Sequence, residues 1–207
     1  MIKIEKVCVY GWESAIRGMR NPMNSWNKSD SEFYAGYDCN GFIAGDDDLR
    51  LMKNLVAAGS DHSKFMRMIN ATMDITAPLY WWKEFDTYKV GTVRNSCSTM
   101  HKIHSKAFDT CDFSCERMCE ASLVQFESTI HLLNYFRDLF NDTKDKDWWW
   151  QMVQLLPSSY NQRATVQMNY AVLRNMYHAR KNHKLDEWRD FCKWIERELP
   201  YSELITE

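Results

Sequence analysis

A long segment with apolar residues at helical spacing restricts this chain to folds that contain a long helix with one apolar face. Residues 113–140 contain a series of apolar side chains at this spacing: Leu123, Phe126, Ile130, Leu133, Phe136 and Phe140. Spacings of three and four residues place these side chains on one face of an α-helix, and that face needs an apolar surface to cover it. The segment therefore predicts a long amphipathic helix.

The other segments predict strands before residue 100 and mostly helices after residue 110. Alternating apolar residues over 2–10 are typical of a strand. Helices are predicted over 13–20, 46–58, 148–156, 167–179 and 185–198. Residues 21–48 and 85–100 are predicted to be irregular, and residues 60–84 fit either a strand or a helix. This separation favours an α+β fold, and the length favours a single domain over residues 1–207.

Charge and hydropathy exclude several classes of protein. The 207 residues carry a net charge of −2, which gives no argument for nucleic acid or an anionic membrane as partner. No apolar run approaches the roughly 18 residues that span a bilayer. Because the N-terminus resembles a strand rather than a signal peptide, we expect a cytoplasmic protein.

Cysteine and aromatic residues each leave two interpretations open. Seven cysteines are an odd count, so reduced thiols are expected, although Cys111, Cys115 and Cys119 repeat at helical spacing and would also suit a metal site. The chain has nine Trp, ten Tyr and ten Phe residues. Such residues fill cores and subunit interfaces, and they also stack on flat ligands such as a flavin.

Three polar residues near the C-terminus have the chemistry of a nucleotide or flavin site. If one helix carries them, Arg180 returns to within about 20° of Asn169, and Asn175 lies about 120° away. Asparagine offers a donor and an acceptor to a pyrimidine or flavin edge, and arginine offers a planar fork to a carbonyl or phosphate. The alternative is an ordinary solvated helix face.

The same region resembles the C-terminal motif of the flavin-dependent thymidylate synthases. Leu156-Pro157 is followed after twelve residues by Asn169, after six more by Asn175 and after five more by Arg180. In that family a Leu-Pro pair precedes two flavin-contacting asparagines and an arginine that binds the nucleotide and helps to activate the uracil. The resemblance covers residues 59–207, and it implies a catalytic and substrate-binding Arg180.

A second family block aligns with many substitutions. Anchored on Ala77-Pro78, the alignment places Lys83-Glu84 at the family's Arg-Gln pair, residues 87–89 at Arg-His-Arg and Cys97 at its serine. The resemblance implies that Tyr88 and Lys89 contact flavin and that Glu84, Cys97 and Ser98 contact the substrate. A shift of one residue instead matches Asn95 and Ser98 to the family's Asn and Ser.

The family's phosphate-binding arginines are replaced by Thr99 and Val153 in this chain. A phosphate dianion needs charge-assisted donors, which Arg67, Arg94 and Arg163 would have to supply instead.

Two further groups of side chains keep alternative interpretations. Cys97 would suit a thiolate nucleophile, with Lys89 or Arg94 lowering its pKa, or a small buried replacement for serine; the second is favoured. His101 and His104 have the spacing of a ligand pair, but no third ligand follows at a convincing spacing, and we expect no metal.

By resemblance, the fold has a central mixed sheet with long flanking helices, and the active site lies between subunits of a homotetramer. The expected reaction uses FAD, methylenetetrahydrofolate and NADPH to convert dUMP or a related pyrimidine nucleotide to its 5-methyl product. The alternative is a noncatalytic relative that serves as a structural or partner-binding protein, since fold alone does not determine function. The family's bacterial and phage members suggest a similar source.

Overall fold

The computed structural model describes residues 2–34 and 41–207. These residues fall into two compact units. Unit 1 is built mainly from Ile75–Asp86 and Asn95–Ala164, and unit 2 from Ile4–Asp74, Thr87–Arg94 and Thr165–Glu207. No helix within the described ranges is long and apolar enough to cross a membrane. The expectation of a single domain stays a prediction.

Four strands form the main sheet, in the spatial order Lys3–Tyr10, Asn70–Pro78, Asn161–Asn169 and Thr92–Ser96. They are β1 (Lys3–Tyr10), β4 (Asn70–Pro78), β5 (Thr92–Ser96) and β6 (Asn161–Asn169), while β2 (Glu32–Phe33) and β3 (Phe42–Ile43) form a separate antiparallel pair. The inner strands β4 and β6 bury every second residue, as expected where one face of a sheet is covered. The α+β class is therefore confirmed.

The described part of unit 2 holds five α-helices around a core rich in aromatic side chains. They are α1 (Trp12–Arg20), α2 (Asp46–Ala57), α6 (Tyr170–Arg180), α7 (Asp186–Glu198) and α8 (Glu203–Thr206). Trp188, Tyr170 and Phe191 are all fully buried. A buried ion pair joins α1 to α2, because Arg20 Nη2 lies 2.6 Å from the Asp48 carboxylate.

Unit 1 holds the helices α3 (Leu79–Phe85), α4 (Glu120–Thr143) and α5 (Lys146–Leu155). The apolar face predicted for the long helix contributes Phe126, Ile130 and Leu133 to the core, where Met152 of α5 joins them. Lys144 has a left-handed conformation directly after α4, and the Asp145 side chain then accepts a hydrogen bond from the first turn of α5. This reversal lets the two helices pack against each other.

The predicted helix over residues 167–179 is wrong at its start. Residues 161–169 form β6, and α6 begins only at Tyr170. The signal was present in the sequence, since buried Ala164, Val166 and Met168 alternate with polar residues. Strands therefore also occur after residue 110, contrary to the prediction.

Other element boundaries also differ from the predictions. The long helix begins at Glu120 rather than Phe113, so Cys111 and Cys115 precede it and Cys119 is its N-cap residue. The three cysteines thus do not share a helix face. Strand β5 and two 3-10 helices, Asn21–Met23 and Trp26–Lys28, lie within segments predicted to be irregular.

The prediction that every cysteine is reduced is wrong for Cys8, which is disulfide-bonded. Cys97, Cys111, Cys115, Cys119 and Cys192 carry free thiols. Cys39 lies outside the described residues.

Candidate functional site

Asn169 connects β6 to α6 and caps that helix. Its Oδ1 accepts a hydrogen bond from the backbone N–H of Val172 at 3.0 Å, which satisfies a donor that the first helical turn leaves unpaired. Its own backbone is extended, so Asn169 does not lie on a helix face with Arg180 as the sequence predicted. The two residues instead mark opposite ends of α6.

The segment before β5 passes directly against this cap. The backbone N–H of Asn169 donates to the carbonyl oxygen of Gly91 at 3.4 Å. Gly91 has a φ of +75°, and a Cβ at this position would lie 2.6 Å from Asn169 Nδ2 and 3.0 Å from Val172 Cγ2. Only glycine combines this backbone conformation with such a close approach.

Arg180, at the other end of α6, contacts the same segment. Its Nε–H donates a hydrogen bond to the phenol oxygen of Tyr88 at 2.9 Å. Its guanidinium carbon lies 5.6 Å from the centre of the Tyr88 ring and 5.1 Å from that of the Trp188 ring. The structure thus joins two predicted site residues, Tyr88 and Arg180, and adds Trp188, which the sequence did not indicate.

The remaining predicted flavin contacts of unit 2 are exposed. Asn175 lies on the solvent side of α6, about 60° around the helix from Val172, which Gly91 approaches. Lys89 is also exposed, and it follows Tyr88 in the segment that contacts both ends of α6. Unit 2 therefore presents an amide and an ammonium group that a ligand can reach.

Unit 1 carries the predicted substrate contacts Glu84, Cys97 and Ser98. Glu84 is half-buried in α3. Cys97 is exposed, so the favoured interpretation of a small buried residue is wrong. Both of its backbone groups are hydrogen-bonded, since its N–H donates to Arg163 O at 2.8 Å and its carbonyl accepts from Gln162 Nε2 at 2.6 Å.

Ser98 closes a local turn. Its Oγ accepts hydrogen bonds from the backbone N–H groups of Met100 and His101 and lies 2.7 Å from His101 Nδ1. This pairing occupies one ring nitrogen of His101. Among residues 2–34 and 41–207, no group of three or more His, Cys, Asp or Glu side chains is arranged to hold a metal ion.

Unit 2 also contains a cleft of about 690 Å³ that the sequence did not indicate. Met19, Leu51, Leu55 and Phe65 provide its apolar surface, and Arg20, Lys28, Arg50 and Lys64 provide cationic groups. Asp48 holds Arg20, and Asp47 lies 2.5 Å from Arg50. Asp61 adds a further carboxylate to the lining beside Lys28 and Lys64. The 3-10 helix Lys64–Arg67, which lines the cleft, packs against both α1 and α6.

Hydrogen bonds fix the wall of this cleft. The fully buried carboxylate of Asp48 accepts from Arg20 Nε at 2.6 Å, from Ser29 Oγ at 2.7 Å and from Ser31 Oγ at 2.6 Å. Burial alone would raise the pKa of Asp48, but the hydrogen bonds from Ser31, Ser29 and Arg20 outweigh it and lower that pKa. Asp48 therefore stays ionised and holds Arg20 in place.

Comparison with solved structures identifies the fold. No protein-family model and no curated protein matches the sequence. A crystal structure of the flavin-dependent thymidylate synthase ThyX from Helicobacter pylori, complexed with FAD and dUMP, is similar with a TM-score of 0.69 and 17% identity over 97% of this chain and 98% of that one. A second ThyX structure from Helicobacter pylori, also with FAD and dUMP, gives 0.70 and 15% over 100% and 97%.

The fold is that of the flavin-dependent thymidylate synthases. The similarity extends over nearly the full length of both chains, which confirms the fold implied by the sequence resemblance. Sequence identities of 15% and 17% indicate a shared architecture but not a shared chemistry, because function depends on particular side chains within a fold.

Proposed function

We propose that this chain is a flavin-dependent methyltransferase of pyrimidine nucleotides, which converts dUMP or a related nucleotide to its 5-methyl product. The observation that carries the proposal is the hydrogen bond from Arg180 to Tyr88 at the end of α6. Arg180 is the predicted nucleotide-binding arginine, and the similar ThyX structures contain FAD and dUMP.

The groups of unit 2 suit a flat, anionic cofactor such as FAD. A cleft of 690 Å³ is within the usual size of small-molecule sites. Its apolar surface would cover an aromatic ring, and Lys28 and Lys64 would pair with phosphate oxygens. Asn175 and Lys89 do not line this cleft; they are exposed on α6 and next to Tyr88, where they would hydrogen-bond to a flavin edge, while Asn169 keeps the helix end in place.

The proposed chemistry uses FAD as the redox cofactor, methylenetetrahydrofolate as the one-carbon donor and NADPH as the reductant. Reduced flavin supplies a hydride when it is bound. Arg180 would stabilise the negative charge that develops on the pyrimidine ring, as fixed cationic donors do in active sites. Glu84, Cys97 and Ser98 stay proposed contacts of the nucleotide.

A noncatalytic scaffold is the second candidate, and the residues at the phosphate-binding positions favour it. Thr99 and Val153 carry no charge where the resemblance expects arginines. Loss of charge-assisted donors to a phosphate would weaken nucleotide binding severely. In this candidate, the contacts of Arg180 serve stability alone.

We also propose that the chain assembles as a homotetramer, in which the active site is completed by more than one subunit. Exposed apolar side chains such as Val124, Tyr135 and Trp150 support an interface. Light scattering at micromolar concentration should find a tetramer. A stable monomer would count against an active site shared between subunits.

Cofactor and nucleotide binding distinguish the two candidates. The purified protein, reconstituted with FAD and desalted, should absorb at about 450 nm, a property of the flavin itself. Calorimetry should then detect dUMP binding to the flavin-loaded protein. Retention of neither FAD nor dUMP would reject the enzyme and favour the noncatalytic scaffold.

A further inference from the structure

Arg180 is held by two aromatic side chains from distant parts of unit 2, Tyr88 and Trp188, which we call the Arg180 aromatic pair. The two rings lie 6.1 Å apart at an angle of 60°. The guanidinium carbon is within 6 Å of both ring centres, the range in which a cation is attracted to an aromatic face. Tyr88 adds a directional contact, since its oxygen accepts from Nε–H.

Trp188 is a rigid part of this arrangement. It is fully buried and packs edge-on against Phe191 at 5.9 Å, and Phe191 stacks on Trp194 at 5.9 Å. The turn before α7 is also fixed, because Arg189 Nη1 donates to the carbonyl oxygens of His183 and Lys184. Because its neighbours fix the Trp188 ring, the ring restricts the motion of the Arg180 side chain.

The aromatic pair restrains the orientation of the guanidinium plane. A free arginine samples many rotamers, and ordering it on binding a ligand opposes affinity. One contact at Nε and two ring contacts select an orientation before any ligand arrives. Arginine recognises a planar ligand edge through its fixed fork, so orientation decides how well it binds.

We propose that Trp188 and Tyr88 are positioning residues, which orient Arg180 for recognition of the carbonyl edge of a pyrimidine. The inference rests on the proposed function, and it assigns Tyr88 a role toward Arg180 beside its predicted contact with flavin. Neither residue needs to touch the nucleotide for this role.

NMR of the ligand-free protein tests the orientation itself. The Nε–Hε resonance of Arg180, assigned through its loss in Arg180→Lys, should be displaced by the ring currents of Tyr88 and Trp188. Tyr88→Leu should move it toward the position of an exposed arginine, and Tyr88→Phe should move it less, because the ring remains. Tyr10→Leu, at an exposed tyrosine of β1, is the matched control and should leave it unchanged.

Calorimetry with dUMP on the flavin-loaded protein tests the consequence. Tyr88→Leu should weaken binding by about tenfold, and Tyr88→Phe by less. Because Trp188 is buried, its role is tested with two variants. The conservative Trp188→Phe should retain most of the dUMP affinity, and Trp188→Leu should lose it. A melting curve should show that both variants are folded.

The outcomes separate this inference from the proposed function. An undisplaced Arg180 resonance, or unchanged dUMP affinity in folded Tyr88→Leu and Trp188→Leu, overturns the positioning role while wild-type binding preserves the proposed function. A displaced resonance in a wild-type protein that does not bind dUMP overturns both. A displaced resonance with the expected losses of affinity supports the inference.

Discussion

The Nε–H of Arg180 donates a hydrogen bond to the phenol oxygen of Tyr88 across 92 positions of the chain. The sequence resemblance had placed these residues in separate motifs and assigned Arg180 to the nucleotide and Tyr88 to the flavin. Their contact places Tyr88 and Arg180 at the same end of α6. Changes at either residue are therefore expected to affect the other.

Arg180→Ala should abolish most nucleotide binding. Loss of a charge-assisted hydrogen bond to a ligand costs on the order of 2–4 kcal/mol, or about 30-fold to nearly 1000-fold in affinity. Arg180→Lys should recover only part, because the fork is lost. Calorimetry with dUMP measures the change in affinity. A melting curve should show that the free energy of unfolding falls by about 1–2 kcal/mol, because the contacts of Arg180 with the two rings are lost.

Arg174→Ala is the matched control for this change. Arg174 lies on the same helix and contacts Ile205 O instead of the Arg180 aromatic pair. Arg174→Ala should leave the affinity for dUMP nearly unchanged. Unaltered binding in Arg180→Ala would reject its predicted role, and an unfolded variant would identify Arg180 as a structural residue.

Gly91→Ala should destabilise the protein more than Gly59→Ala does. Both glycines have positive φ, which costs an alanine about 1–3 kcal/mol. A Cβ at Gly59 meets nothing within 4 Å, whereas one at Gly91 would lie 2.6 Å from Asn169 Nδ2. Displacing the cap of α6 should add about 1 kcal/mol. Urea unfolding compares the variants, and equal losses would contradict the close approach.

Asp48→Asn should cost about 3–5 kcal/mol near pH 7, because it leaves Arg20 buried without its ionic partner. The pKa of Asp48 is lowered in the folded state, so this stability is present above the unfolded pKa of about 4 and is lost as the pH falls through the folded value. The difference between wild type and variant should therefore shrink in acid. Unfolding curves from pH 7 to about pH 3 measure it, and a constant difference would contradict an ionised Asp48.

Three of the free thiols should react with iodoacetamide in the order Cys119, Cys111, Cys192. Hydrogen bonds from the Ser122 side chain and backbone lower the pKa of Cys119, while a hydrogen bond to Asp109 raises that of Cys111. Burial raises the pKa of Cys192 to about 12. Since the thiolate is the nucleophile, peptide mass spectrometry should find Cys192 modified only after unfolding. Equal rates at Cys119 and Cys192 would refute this order.

Much of the helical structure could be predicted because its signal is local. The apolar spacing of residues 123–140 lies within α4, and the predicted helices over 148–156 and 185–198 differ from α5 and α7 by one or two residues. The alternating pattern at 161–169 was also local. However, it directly precedes a helix, and its last residues were predicted to belong to that helix. Its assignment depended on β4, where Asp74 accepts from Thr165 at 2.6 Å.

The sequence by itself determined the α+β class, the long helix over residues 120–140 and the presence of Arg180 at a helix end. These properties follow from periodicity and turn residues, which act over a few neighbouring positions. Only the tertiary structure decided that β6 pairs with β4 and β5, that Gly91 packs against Asn169 and that Trp188 lies beside Arg180. The reason is physical: strand pairing, close approach and ring contacts join residues far apart in the chain, and no local pattern specifies such partners.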